Sequence, residues 1–469
     1  MDVDPELRRL ALGCLLLGYQ GPDVPGWLLD ALGEGLGGVV LFGSNVGDGS
    51  QVANLTARLR AAAGRDVLIA LDEEGGDVTR LDTVRGSRSP GNAALGHLDD
   101  VDATRAAYAA IGARLAEAGV TVNLAPVADV NSDPRNPVIG VRSFGADAEL
   151  VARHVAAAVD GLQSTGVAAC PKHFPGHGAT TTDSHHEVAR IDATARELDA
   201  RELAPFRAGI AAGTRAVMTG HLLVPALDPD HLATVSAAIT TGRLRERLGF
   251  AGTVVTDALE MRAVAGTIGM VEGFVQALIA GADAIETGAL DYPDLVGTIP
   301  VAVQEAVESG RLAPERLADA ARRTAQLAVP ENISRVPDAA TPFAGCLEVL
   351  GELPPLTAPL VLECRPPGGM ASGALPWSLA EPLATRCPGT AAVAMTEQSA
   401  WPVTDRDVVL VVRDPHRYEW QQALLRHPAT VIVDVGWPSE LPGGAPVLRT
   451  RGVAPGLLAA AAERLATVK

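Results

Sequence analysis

Apolar residues recur along this chain in two alternating rhythms. Short, β-branched runs at 38–42, 67–71, 121–124, 167–172, 215–219, 253–256 and 283–286 are separated by longer stretches rich in Ala, Leu and Arg, at 51–63, 103–118, 147–165 and 194–212. The short runs predict buried strands, and the long ones predict helices with one apolar face. Strands alternating with helices imply right-handed crossovers and a parallel sheet. Seven strands over roughly 250 residues predict a TIM-type (β/α)8 barrel, irregular because the pattern offers no obvious eighth strand.

Beyond this region the rhythm changes. Residues 329–342 are rich in Pro, Asn, Asp and Ser and have no period, as expected of a linker. Shorter apolar runs follow at 360–363, 391–395, 407–412 and 431–435, with helical patterns at 418–426 and 455–466. The expected division is a catalytic barrel at 1–330, a linker at 331–342 and a small C-terminal α/β domain at 343–469. That domain has neither GxGxxG nor GxxxxGK[ST], so no nucleotide site is expected in it. A structural or dimerising role is expected there, with direct substrate contact as the alternative. The state is left open as monomer or homodimer.

Composition narrows the function. With 47% hydrophobic but only 3% aromatic residues, the core must be built mainly from Ala, Val and Leu. A formal net charge of -18 argues against nucleic acid or an anionic membrane as partner, since both are bound by clustered cations. A neutral sugar, held by hydrogen bonds, is compatible with it. Cys14, Cys170, Cys346, Cys364 and Cys387 are scattered and show no CxxC spacing, so they are expected as reduced thiols. The acidic start Met-Asp-Val-Asp-Pro-Glu differs from a secretory signal, and the apolar run at 10–17 falls short of the ~20 residues that span a bilayer. These features predict a cytoplasmic protein with no membrane span.

The candidate chemistry clusters at strand ends, where barrel enzymes build their sites. Asp72 follows the run at 67–71, Lys172 and His173 follow 167–170, His221 follows 216–219, and Asp257 follows 253–256. The segment Lys172-His-Phe-Pro-Gly-His-Gly178 and its continuation to His186 holds four of the ten histidines and one of only two lysines. Within it, Asp183 and His185 lie two apart, so in an extended loop the carboxylate can orient the imidazole for proton transfer. A solvated surface loop is the plainer interpretation. Metal binding competes as well, but the histidine spacing matches no standard zinc pattern, and an adjacent ammonium repels a dication. No metal and no cofactor is expected. Asp257 can act as a nucleophile on an anomeric carbon or as a helix N-cap. Asp72-Glu-Glu-Gly-Gly-Asp-Val-Thr-Arg80 pairs an acid and an arginine across a glycine turn, suited to gripping vicinal hydroxyls. Arg142 sits in a similar loop bounded by Gly and Pro.

Taken together, these residues resemble glycoside hydrolase family 3, in its β-N-acetylglucosaminidase branch. The resemblance rests on 172–178 with Asp183 and His185, supported by Gly37-Gly-Val-Val-Leu-Phe42, Asp72 to Gly76 with Arg80, Val138-Ile-Gly-Val-Arg-Ser-Phe144, Val217-Met-Thr-Gly-His221 and Thr256-Asp257. It covers more than half of the chain, about 37–288. It implies a retaining barrel enzyme that removes terminal N-acetylglucosamine from muropeptide or chitin-derived oligosaccharides through a glycosyl-aspartate. Asp257 would be the nucleophile, His185 paired with Asp183 the acid/base, and Asp72, Arg80, Arg142, Lys172 and His173 the sugar-holding residues. A phosphorylase on the same residues is the nearest rival, and an inactive sugar-binding barrel a remote one. Asp77 stands where relatives often carry a basic residue, and His186 where an apolar one is common, which leaves the aglycone side open. His177 and His186 carry no assigned role.

Overall fold

The computed structural model describes residues 3–47, 49–182, 188–330, 342–369, 371–373 and 375–467. Eight parallel strands form the barrel: β1 (Leu15–Leu17), β2 (Gly38–Leu41), β3 (Leu68–Leu71), β4 (Val122–Asn123), β5 (Ala168–Ala169), β6 (Ala216–Thr219), β7 (Thr253–Thr256) and β8 (Ile285–Glu286). Ladder pairs run from β8 through β1, β2, β3 and β4 to β5, and β6 pairs with β7. Backbone bonds join the two pieces. Met218 donates to Pro171 O (3.0 Å) and Phe174 to Met218 O (2.8 Å) on one side, while Thr256 donates to Ala284 O (3.0 Å) on the other.

The missing eighth strand of the sequence pattern is therefore β1. It lies between β2 and β8, with register Leu16↔Gly38 and Leu15↔Ile285. The pattern hides it because Leu15–Leu17 follows the helix Pro5–Gly13 with only Cys14 between, so helix and strand read as one apolar run. Like β8, the strands β4 and β5 keep only two residues each, and the irregularity lies around these last two. Pro126, Pro171 and Pro175 stand just beyond them, and proline has no N–H to continue a ladder. Single bonds take over there, such as Ala128 N to Lys172 O at 2.6 Å.

The barrel interior is packed by one set of alternating strand residues, including Leu16, Val40, Leu68, Ala70, Val122, Ala168, Ala216 and Val255. Leu327 and Ala328, at the end of the helix Pro314–Leu327, join this cluster. The opposite strand faces, among them Val39, Ile69, Val217 and Val254, pack against the surrounding helices. Alanines supply much of the interior, which accords with the low aromatic content.

The second sheet runs β9 (Glu348–Leu350), β14 (Val447–Arg449), β13 (Val431–Asp434), β12 (Val408–Val412), β10 (Leu360–Cys364), β11 (Ala391–Met395) in spatial order. Only the β9–β14 pair is antiparallel. Its two faces carry separate apolar clusters, around Val409 and Leu458 on one side and Leu410 and Ile432 on the other. Ala94 of the barrel packs with Cys346, Ala454 and Leu457, which joins the two domains. The expected linker at 331–342 falls almost wholly outside the described residues. Among the described residues, no helix is long and apolar enough to cross a membrane.

Candidate active site

A cavity of about 460 Å³ opens at the C-terminal ends of the barrel strands, lined among others by Asp72, Arg80, Arg142, Lys172, His173 and Asp257. Six of the eight residues expected from sequence thus meet around one space. Asp183 and His185, and His186 beside them, lie outside the described residues. His177, in the same loop, does line the cavity.

The glycine turn explains how one side of the cavity forms. Gly75 and Gly76 adopt φ of +85° and +59°, values that side-chain-bearing residues rarely take, and Gly75 bridges back to Val78. The chain reverses, and Arg80 returns to Asp72, with Nη2 3.3 Å from Oδ2. Buried Glu73 fastens the turn by accepting from Thr79 Oγ1 (2.7 Å), Arg80 N (2.8 Å) and Leu81 N (3.0 Å).

Lys172 is the hub of the polar wall. Its Nζ lies 2.5 Å from Asp72 Oδ1 and 2.7 Å from Glu74 Oε1, so two carboxylates share one ammonium. Glu74 also accepts from Arg142 Nε at 2.9 Å and Nη2 at 2.7 Å, a bidentate pair. Burial alone would raise the Asp72 and Glu74 carboxyls. Lys172 and Arg80 outweigh it at Asp72, and Arg142 and Lys172 outweigh it at Glu74, so both are held below the usual range. Burial likewise opposes the charge on Lys172, but Asp72 and Glu74 reverse the balance and raise it. Asp72, Glu74 and Lys172 all stay ionised.

The His173 imidazole and the backbone of His177 are fixed by an acid that no strand-end or motif signal marks in the sequence. Asp129 accepts from His173 Nδ1 at 2.7 Å and from the backbone N–H of His173 (3.2 Å) and His177 (2.7 Å). That leaves Nε2 as the other polar atom of the His173 ring. Burial pushes the His177 imidazole down to about 4, so it is neutral near pH 7.

Asp257 follows β7, and its Oδ1 accepts from Ala258 N at 2.9 Å. No helix starts at Ala258; the next one is the short Arg262–Ala265, whose N-cap is Met261. The N-cap alternative for Asp257 is thereby corrected, and its carboxyl belongs to a turn facing the cavity. His221, the other strand-end histidine, plays a different part. It is fully buried between Thr234 Oγ1 (2.8 Å) and Ala258 O (3.0 Å), where it holds the turn after Asp257 and does not line the cavity.

The C-terminal domain closes the site. Ala371 lines the cavity and accepts from Arg80 Nη1 at 3.0 Å. A second cleft, lined by Arg413, Tyr418, Trp437 and Pro367, shares Val138, Arg142 and Ala371 with the first. Asp77 turns out to be a domain clamp. It is buried and accepts from Arg413 Nη2 at 2.6 Å and Val453 N at 3.0 Å. Among the described residues, no group of three or more His, Cys, Asp or Glu is placed to hold a metal ion.

Residues 29–327 match the model of the glycosyl hydrolase family 3 N-terminal domain. The chain belongs to glycoside hydrolase family 3. A beta-hexosaminidase of Xylella fastidiosa is 38% identical over 293 residues, covering 60% of this chain and 84% of that protein. Beta-hexosaminidase A of Pseudoalteromonas piscicida is 33% identical over 329 residues; the match covers 62% of this chain and about half of that protein, 53%. Among solved structures, a family 3 beta-N-acetylglucosaminidase from a Paenibacillus species superposes with a TM-score of 0.88 at 32% identity, over 98% of this chain and 96% of the other. The likeness therefore extends through the C-terminal domain. By this membership the protein is an enzyme of the glycoside hydrolase class.

Proposed function

We propose that the protein is a retaining exo-β-N-acetylglucosaminidase that releases terminal N-acetylglucosamine from a muropeptide or chitin-derived oligosaccharide in the cytoplasm. The observation that carries this reading is the placing of Asp257 in one cavity with the Asp72, Arg80, Lys172 and His173 group. A nucleophile and a set of hydroxyl-gripping charges are then held on separate strand ends, with room between them for a sugar ring.

In this mechanism a carboxylate oxygen of Asp257 attacks the anomeric carbon as His185, paired with Asp183, protonates the leaving oxygen. The same imidazole then removes a proton from water, which displaces Asp257 and returns the sugar with its original configuration. Asp72 accepts from a sugar hydroxyl while Arg80, Lys172 and His173 donate, and Arg142 braces Glu74 behind them.

The test is a panel of aryl β-glycosides that differ at the 2-position, run with and without phosphate. Release of N-acetylglucosamine by water supports the reading. Preference for β-glucosides, or formation of N-acetylglucosamine 1-phosphate as the main product, contradicts it.

A further inference from the structure

Among the acids that line the cavity, Glu286 takes no part in the mechanism just given. Glu286, the last residue of β8, lines the cavity, is 4% exposed, and has its Oε2 buried without a hydrogen-bond partner. A buried polar atom left in this state costs free energy unless something completes it. The groups around it are Asp257 after β7, Asp72 after β3, Lys172 and Cys170 after β5, and Glu260 in the turn after β7. Acids outnumber cations here.

We propose that Glu286 binds the sugar, donating a hydrogen bond from its carboxyl group to the carbonyl of the 2-acetamido substituent. This rests on the reading of the site as one for N-acetylglucosamine, and it names the residue that recognises the acetamido group. Burial, with Asp257 and Asp72 adding to it, lifts this carboxyl well above the usual range, so it is an O–H donor near neutral pH. Glu286 and Asp257 end adjacent strands, so a sugar with its anomeric carbon at Asp257 brings a substituent of the neighbouring carbon toward Glu286. An amide carbonyl is the strongest neutral acceptor such a sugar offers. The same cavity is also lined by Phe42, Met261, Ala289 and Leu290, which supply apolar surface suited to the acetyl methyl. A donor and apolar surface in one cavity match both ends of an acetamido group.

The test compares kcat/KM for aryl N-acetyl-β-glucosaminide with that for the matching aryl β-glucoside. Glu286→Leu and Glu286→Ala remove the donor and are expected to lower the ratio by about tenfold, mainly through KM for the N-acetyl sugar. Glu286→Gln keeps an N–H donor of similar size and should hold the ratio within about threefold of wild type. Circular dichroism and the melting midpoint establish that each variant is folded; if Leu and Ala fail to fold, Gln still decides. An unchanged ratio in folded Leu or Ala, or a tenfold loss in Gln, overturns the role of Glu286 while leaving the activity standing. An inactive wild type would instead overturn the proposed activity.

Discussion

Lys172 Nζ sits 2.5 Å from Asp72 Oδ1, with Glu74 Oε1 on its other side at 2.7 Å. One ammonium therefore holds two buried carboxylates ionised. Lys172→Ala leaves Asp72 and Glu74 without this partner, and removing one member of a buried pair costs ~3–5 kcal/mol. The expected result is a drop in kcat/KM of at least about a hundredfold, with a lower melting midpoint. Lys172→Arg should not rescue it, since a planar guanidinium cannot replace a compact ammonium between two acids. Steady-state kinetics on an aryl N-acetyl-β-glucosaminide checks both variants.

Asp77 and Arg413 give a second prediction. Their 2.6 Å pair joins the glycine turn of the barrel to the C-terminal domain, whose Ala371 closes the cavity. Asp77→Ala strands a largely buried guanidinium and is expected to destabilise the protein by about 3 kcal/mol and to raise KM. Since the residues are in contact, the double variant with Arg413→Ala should cost less than the sum of the two single ones. Additive losses in denaturant unfolding would remove the clamp.

Stability should also depend on pH in a definite direction. Burial lifts Asp434 to about 7 and Glu202 to about 7, from ordinary values of 3.8 and 4.5. The folded state then holds two protons that the unfolded state has already released, so this stability is complete below pH 4 and is lost as pH rises through 7. Each group contributes a slope of about 1.4 kcal/mol per pH unit across its window. The melting midpoint of wild type is expected to fall between pH 5 and pH 8, and Asp434→Asn should flatten that fall. His177 acts oppositely: lowered to about 4, it favours the fold above its unfolded value and loses that contribution as pH drops from 6.5 toward 4.

Much of the site is legible in the sequence because strand ends and glycine turns are local signals. Asp72, Lys172, His173 and Asp257 follow apolar runs directly, and Arg80 is brought back by Gly75 and Gly76. Glu74, Asp129 and Glu286 are not legible in this way. Glu74 matters because Lys172 and Arg142 converge on it from other loops, and Asp129 because it collects N–H groups from the segment after β5. Glu286 looks like any acid at the end of an apolar run until β7 sets Asp257 beside it. β1 is hidden for the converse reason, since its three leucines continue the apolar face of the preceding helix. The clamp at Asp77 depends on the packing of two domains, which no local pattern contains.

The proposed glycosyl-aspartate at Asp257 is tested most directly by trapping it. The enzyme is incubated with a 5-fluoro N-acetyl-β-glucosaminyl fluoride, digested, and examined by mass spectrometry. The expected result is one added sugar on the peptide carrying Asp257, absent from Asp257→Asn. An adduct on another residue, or turnover of the chromogenic substrate by folded Asp257→Asn at the wild-type rate, would contradict it.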